Sequence, residues 1–193
     1  MDFLLTGLMV GFPLKLRSFV NKKSLSAPGF YFCSMFSKSL TKQQALQKLR
    51  HYCGYQERSH SEVKEKLWQL KVNRKEHDEI IATLIEDDYL NEERFAVQFA
   101  GGKYRIKQWG RVKIKYELKQ KQVSEYSIKK ALKQIDENDY IKTLTKLAEK
   151  RYASLKDEQW MVRKKKTIEY LLQRGFEMEL INGIEIINKT SKS

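Results

Sequence analysis

Three histidines, two cysteines and two adjacent pairs of acids are the residues of this chain that could do covalent or metal chemistry. His51, His60 and His77 are not at metal spacing with one another. Cys33 and Cys53 form no CxxC or Cys/His pattern, so neither a zinc site nor a disulfide framework is expected. Asp87-Asp88 and Glu92-Glu93 raise acid–base catalysis, but they fall at an expected helix end and helix start, where acids cap and solvate. Gly101-Gly102 is a lone pair inside a helical run, and no GxxxxGK[ST] loop occurs to cradle a phosphate. No nucleophile stands beside a base in sequence. The expectation is a protein that is not an enzyme and holds no cofactor or metal.

What the side chains do offer is charge. The 193 residues carry 38 Lys and Arg against 24 Asp and Glu, a net +14. That balance favours a polyanionic partner: nucleic acid, a nucleoprotein or an anionic membrane surface. The bland alternative is a soluble, lysine-rich surface. The charge is uneven, however. Residues 41–90 hold nine basic and nine acidic side chains, whereas residues 101–133 hold eleven basic against Glu117 and Glu125. A shorter run, Arg163 to Lys166, recurs later. Tyr104, Trp109, Val112 and Tyr116 are interleaved with the central cluster. Such a mixture suits a contact surface in which cations attract at long range and aromatics supply area. Trp109 fits that role or inter-unit packing equally, while Val112 and Tyr116 are expected to pack between units.

The elements that must position this cluster are helices. From Leu40 onward there is no proline, and Lys, Glu, Gln and Leu dominate, which favours an all-helical body. Three segments resemble one another: Ser61–Val72, Gly110–Val123 and Lys164–Phe176. In each, a leucine precedes a closing hydrophobe by five (Leu67/Val72, Leu118/Val123, Leu171/Phe176), and the leucines are spaced by 51 and 53 residues. A period of that size marks a repeated supersecondary unit. A longer helical run precedes each copy (41–52, 92–106, 140–152) and a shorter amphipathic one follows (75–85, 125–135, 177–187). Asn91 and Ser124 are expected N-caps, and Gly175 an expected left-handed helix end. The stretch GRVKIKYELKQ alternates like a strand, yet its position in the repeat makes it a helix with Ile114 and Leu118 facing the core.

The fold expected is therefore all-α: three tandem three-helix, helix-turn-helix-like repeats over residues 39–90, 91–138 (basic) and 139–193, forming an elongated molecule. Residues 1–38 differ, holding both prolines, and are expected to be a loose extension or a mis-assigned start with Met35 as the initiator. The apolar run Phe3–Phe12 is too short to span a bilayer and lacks a basic flank, having Asp2 there. The two cysteines fit a reducing, cytoplasmic setting.

The stretch Asp88-Tyr89-Leu90-Asn91-Glu92-Glu93-Arg94-Phe95-Ala96, followed by Lys103-Tyr104-Arg105 and Trp109-Gly110, resembles the bacterial RecX regulatory proteins. Arg58-Ser59 with Glu62, and Gln173-Arg174-Gly175-Phe176, resemble two further motifs of that family. The sequence departs from them at Glu92, where Asp is usual, and at Lys71 and Gln122, where Gly is frequent. The resemblance covers about residues 41–188. It implies a non-catalytic, monomeric modulator of the RecA recombinase in DNA repair, recombination and the SOS response. Such a protein binds the RecA–single-stranded DNA filament and has no membrane partner; whether free DNA is a further ligand stays open. On that reading Lys103, Arg105, Arg111, Lys113 and Lys115 are the expected electrostatic contacts, with Trp109, and Arg58 and Arg94 are added. Arg94 could instead brace the second unit against Asp88. The main rival is a helix-turn-helix protein acting on DNA directly, although lysine-rich helices suit phosphates better than base edges. A helical scaffold with another protein partner is the third class.

Overall fold

Runs of good helix formers, nine to seventeen residues long and broken by a capping side chain or a left-handed turn, fold into helices stacked in threes. The computed structural model describes residues 40–185, all within one compact unit of the chain, residues 38–193. The expectations for residues 1–38 lie outside the described residues. The first triad is α1 (Lys42–Tyr55), α2 (His60–Gln69) and α3 (His77–Glu86), with a 3-10 turn at Arg74–Glu76. The second is α4 (Glu92–Lys107), α5 (Arg111–Gln120) and α6 (Glu125–Lys133). The third is α7 (Glu137–Ala153), α8 (Trp160–Gln173) and α9 (Met178–Asn182). Among the described residues no strand occurs. None of their helices is long and apolar enough to cross a membrane.

Helix starts follow the sequence. Asn91 and Ser124 accept from the backbone N–H three residues on, as do Thr41, Ser59 and Asp136. The middle helix of every triad ends alike. Lys71, Gln122 and Gly175 adopt φ of 54°, 60° and 86°. The next N–H returns to the carbonyl five residues back: Val72 to Leu67, Val123 to Leu118 and Phe176 to Leu171. The leucine-plus-five spacing is thus the apolar contact that closes a left-handed helix cap. Lys71 and Gln122 hold that conformation without glycine, at roughly 1–2 kcal/mol each. The last helix, α9, ends at Asn182, before Gly183, and is shorter than the run 177–187.

The triads do not share one core. Ala45, Leu49, Val63, Leu67, Ile80, Leu84 and their neighbours form the first. A second, continuous core joins the other two triads, running from Phe95 and Ala96 through Ile114 and Leu118 to Leu171 and Phe176. Ile114 and Leu118 are fully buried on α5, as the repeat requires. Val112 and Tyr116 are not packed between units: they are 54% and 60% exposed. Positions four apart on the outer side of α5 leave both side chains facing away from the core.

Backbone closes the joint between the second and third triads. Gly110 N–H donates to the Arg174 carbonyl at 2.9 Å, and Val112 N–H to the Gly175 carbonyl at 3.0 Å. Between them Arg111 N–H donates to the Tyr140 hydroxyl at 2.9 Å. Three donors at the start of α5, orphaned in any helix, are satisfied by the next triad, which explains a glycine where a capping side chain is usual. Tyr140 lies fully buried against Phe176, and its hydroxyl donates to Glu177 at 2.7 Å. Burial pushes its phenol well above the ordinary range, so it remains a donor. Tyr140→Phe is expected to lose roughly 1–3 kcal/mol, read as a lower urea midpoint with unchanged slope.

The joint between the first and second triads uses the equivalent place but side chains. Ser61 Oγ donates to the Lys121 carbonyl at 2.8 Å. Arg94 pairs with Glu57 at 2.5 Å and Lys121 with Glu62 at 2.6 Å.

Candidate polyanion interface

Of the residues raised for chemistry, His51 is exposed and Cys33 lies outside the described residues; the others are occupied by the fold. Asp87 meets Arg50 at 2.5 Å, Asp88 meets Arg94 at 2.9 Å, and Glu93 pairs with Lys130. Glu92 accepts hydrogen bonds from Ser124 and Ser127. Burial works to raise its pKa, but these bonds prevail and hold it below the usual carboxylate range. His77 is buried with Nε2 3.1 Å from the Val72 carbonyl, and His60 Nδ1 stands 3.9 Å from Glu92. Burial pushes the Cys53 thiol up to about 11. Among the described residues no group of three or more His, Cys, Asp or Glu could hold a metal ion.

The central cations fall into two sets. Arg58, Arg94 and Arg111 are engaged within the protein. The Arg58 guanidinium lies 4.1 Å from the Tyr52 ring centroid. Arg94 reaches both Glu57 and Asp88, so it braces its own triad and the one before. Arg111 pairs with Glu137 at 2.6 Å and covers the Tyr140 ring at 4.3 Å. The hydrogen bond that Arg111 donates to Glu137 outweighs burial and holds the guanidinium above its ordinary value. Lys115 and Lys119 share Glu125, at 3.5 and 2.6 Å.

Lys103, Arg105, Lys107 and Lys113 have no acidic partner within 4 Å among the described residues. Two of them belong to a ladder. The left-handed residue Gln108, φ 52°, ends α4 and turns Trp109 so that its ring lies between two ammonium groups. Lys103 Nζ stands 5.0 Å from the Trp109 centroid and Lys113 Nζ 4.7 Å. Lys103 is also 5.0 Å from the Phe99 ring, whose other neighbour is Lys121 at 5.8 Å. The order Lys121, Phe99, Lys103, Trp109, Lys113 runs along the second triad from the first triad's Glu62 to the third triad's Gln173, whose carbonyl Lys113 meets at 3.3 Å. Cation–ring contacts of this kind are worth roughly 0.5–1 kcal/mol at exposed sites. They hold charge in place without neutralising it.

Sequence reasoning placed Lys103, Trp109 and Lys113 in this surface and missed Phe99. The signal was the four-residue spacing from Phe99 to Lys103, which on a helix stacks the pair. Arg105 is exposed and folds back over Gly101. Lys107 is exposed at the end of α4. Chemically the surface can attract and align an anionic chain; it carries no group poised to break a bond.

Residues 91–132 match the family model described as RecX, second three-helix domain, and residues 137–184 that of the third three-helix domain. Regulatory protein RecX of Bacillus cytotoxicus is 28% identical over 139 residues, covering 72% of this chain and 52% of that protein. Regulatory protein RecX of Clostridium perfringens (strain 13 / Type A) is 38% identical over 106 residues, 54% of this chain and 49% of its own. The chain thus spans about half the length of the curated relatives it matches. A crystal structure of RecX from Lactobacillus salivarius superimposes with a TM-score of 0.68 at 24% identity, over 76% of this chain and 94% of that one. Another, of regulatory protein RecX, gives 0.70 at 22%, over 75% and 72%. At those identities the solved structures establish a shared fold.

Proposed function

Because the chain belongs to the RecX family of regulatory proteins, we propose that it binds the RecA–single-stranded DNA filament in the cytoplasm and restrains recombinase activity without catalysing a reaction. The observation that carries this reading is the row of unneutralised lysines and aromatics on the second triad. A filament of recombinase and DNA presents a continuous polyanion, and fixed cations attract it at long range and align it at short range. The protein acts as a monomer by this account, occupying surface on the filament and limiting its growth, ATP turnover and strand exchange in DNA repair and recombination.

The rival, direct reading of duplex DNA by a helix-turn-helix, needs the first residues of a recognition helix free to meet base edges. Here the first N–H groups of α5 are taken by Arg174, Gly175 and Tyr140, which argues against α5 in that role. The deciding measurement is ATP hydrolysis by the cognate RecA on single-stranded DNA. The protein is expected to inhibit at substoichiometric amounts. Unchanged turnover together with tight binding to one duplex sequence would replace this reading with the rival.

A further inference from the structure

The glycine pair in α4 has two different explanations, and only one lies inside the fold. A β-carbon at Gly101 would stand 2.8 Å from Arg105 Nη1, so its absence makes room for a guanidinium lying along the helix. A β-carbon at Gly102 would meet nothing within 4 Å. Glycine in a helix interior weakens the helix relative to alanine, and among the described residues nothing uses the space released.

That space is part of a cleft of about 380 Å³ at the joint of the first two triads, near the lower end of the roughly 300–1,000 Å³ typical of ligand clefts. Phe99, Gly102 and Ile106 line it along one face of α4, and Ile106 is left 78% exposed. While charged and amide side chains line most of the rest of the cleft, Ile106 and the Phe99 ring give it an apolar floor. Across from them stand Glu57 and Glu62, which are already matched by Arg94 and Lys121. Lys103 and Lys107, also on the lining, have no such match. The uncompensated charge here is therefore positive.

We propose that this cleft seats one large apolar side chain carried on an acidic segment of a protein partner. The apolar floor over Gly102 receives the side chain, and Lys103 and Lys107 meet the carboxylates that flank it. Glu57 and Glu62, already held by Arg94 and Lys121, do not select between carboxylate and phosphate; the apolar floor of Phe99 and Ile106 is what favours a protein segment over a phosphodiester strand. The proposal rests on the filament reading for its partner, the recombinase within the filament.

The test uses the full chain with Gly102→Leu, which fills the hollow from a position with open space, and separately Ile106→Ser at the exposed rim. Both are expected to keep wild-type helicity, with the leucine variant melting no lower than wild type. The concentration for half-inhibition of RecA ATP hydrolysis on single-stranded DNA should rise at least tenfold for Gly102→Leu and severalfold for Ile106→Ser. Binding to a labelled oligo(dT) without recombinase should be unchanged in both. Undiminished inhibition by a folded Gly102→Leu overturns the cleft and leaves the filament reading standing; if that variant does not fold, undiminished inhibition by Ile106→Ser does so. Loss of oligo(dT) binding assigns the cleft to nucleotides and overturns the proposal in another way. A wild-type protein without effect on RecA removes the filament reading and, with it, the partner named here.

Discussion

Alanine at Gly110 is expected to cost about 3–5 kcal/mol and to loosen the joint between the second and third triads. An added β-carbon would lie 2.1 Å from the Gly175 carbonyl oxygen and 2.4 Å from the Phe176 nitrogen, both backbone atoms with no rotamer to yield. Relief requires the two backbones to separate. That in turn stretches the bonds from Gly110 and Val112 to Arg174 and Gly175 and draws Arg111 away from Tyr140. Overpacking alone costs roughly 1–3 kcal/mol, and each hydrogen bond left unmade in a buried joint adds about 1–3 kcal/mol. Domains of this size are stable by only about 5–15 kcal/mol, so a large part of the total is at stake. Urea unfolding checks it, with Gly102→Ala as the contrast. There the β-carbon meets open space and the helix should gain about 1 kcal/mol. A loss below about 1 kcal/mol at Gly110 would mean that the backbones do not approach as described.

The same residues show how far the sequence carries. The fold was legible because its signals are local: a cap at Asn91 or Ser124, a left-handed end at Gly175, a leucine five residues before a hydrophobe. Each is set by neighbours within one turn, and its repetition overrode the strand-like alternation of α5. The contact surface was legible only in outline. Lys103 and Arg111 look alike in sequence, two basic residues eight apart, yet one lies unmatched between two rings while the other is tied to Glu137 and Tyr140. Arg111's partners come from another triad, and their positions depend on how two backbones meet at Gly110 and Gly175. Val112 and Tyr116 failed as packing residues for a related reason. Their outward face follows from the helical period, but whether another triad covers it does not.

Reversing Lys103, Lys107 and Lys113 to Glu is expected to weaken filament association roughly 100-fold at low salt, about 2.8 kcal/mol. The folded state should lose about 1.5–3 kcal/mol, the sum of the three cation–ring contacts that Lys103 and Lys113 make, with no carboxylate pair broken. If Lys113, which lies outside the cleft, meets one phosphate of a single strand, its reversal should shrink the slope of log affinity against log salt by about 0.7. Reversal of Arg111 would act differently, since it places a carboxylate against Glu137 and strips the charge from the Tyr140 ring. Its effect would appear first as lost stability and persist at high salt. The ladder and the cleft separate on the same axis. Charge reversal loses force as salt rises and the Debye length falls to about 8 Å near physiological strength, whereas a hollow filled at Gly102 stays filled at every salt concentration. Titrations of both variants from low to high salt should therefore converge on wild type for the lysines and remain displaced for Gly102→Leu. Parallel curves would mean that the lysines act through packing and not through their charge.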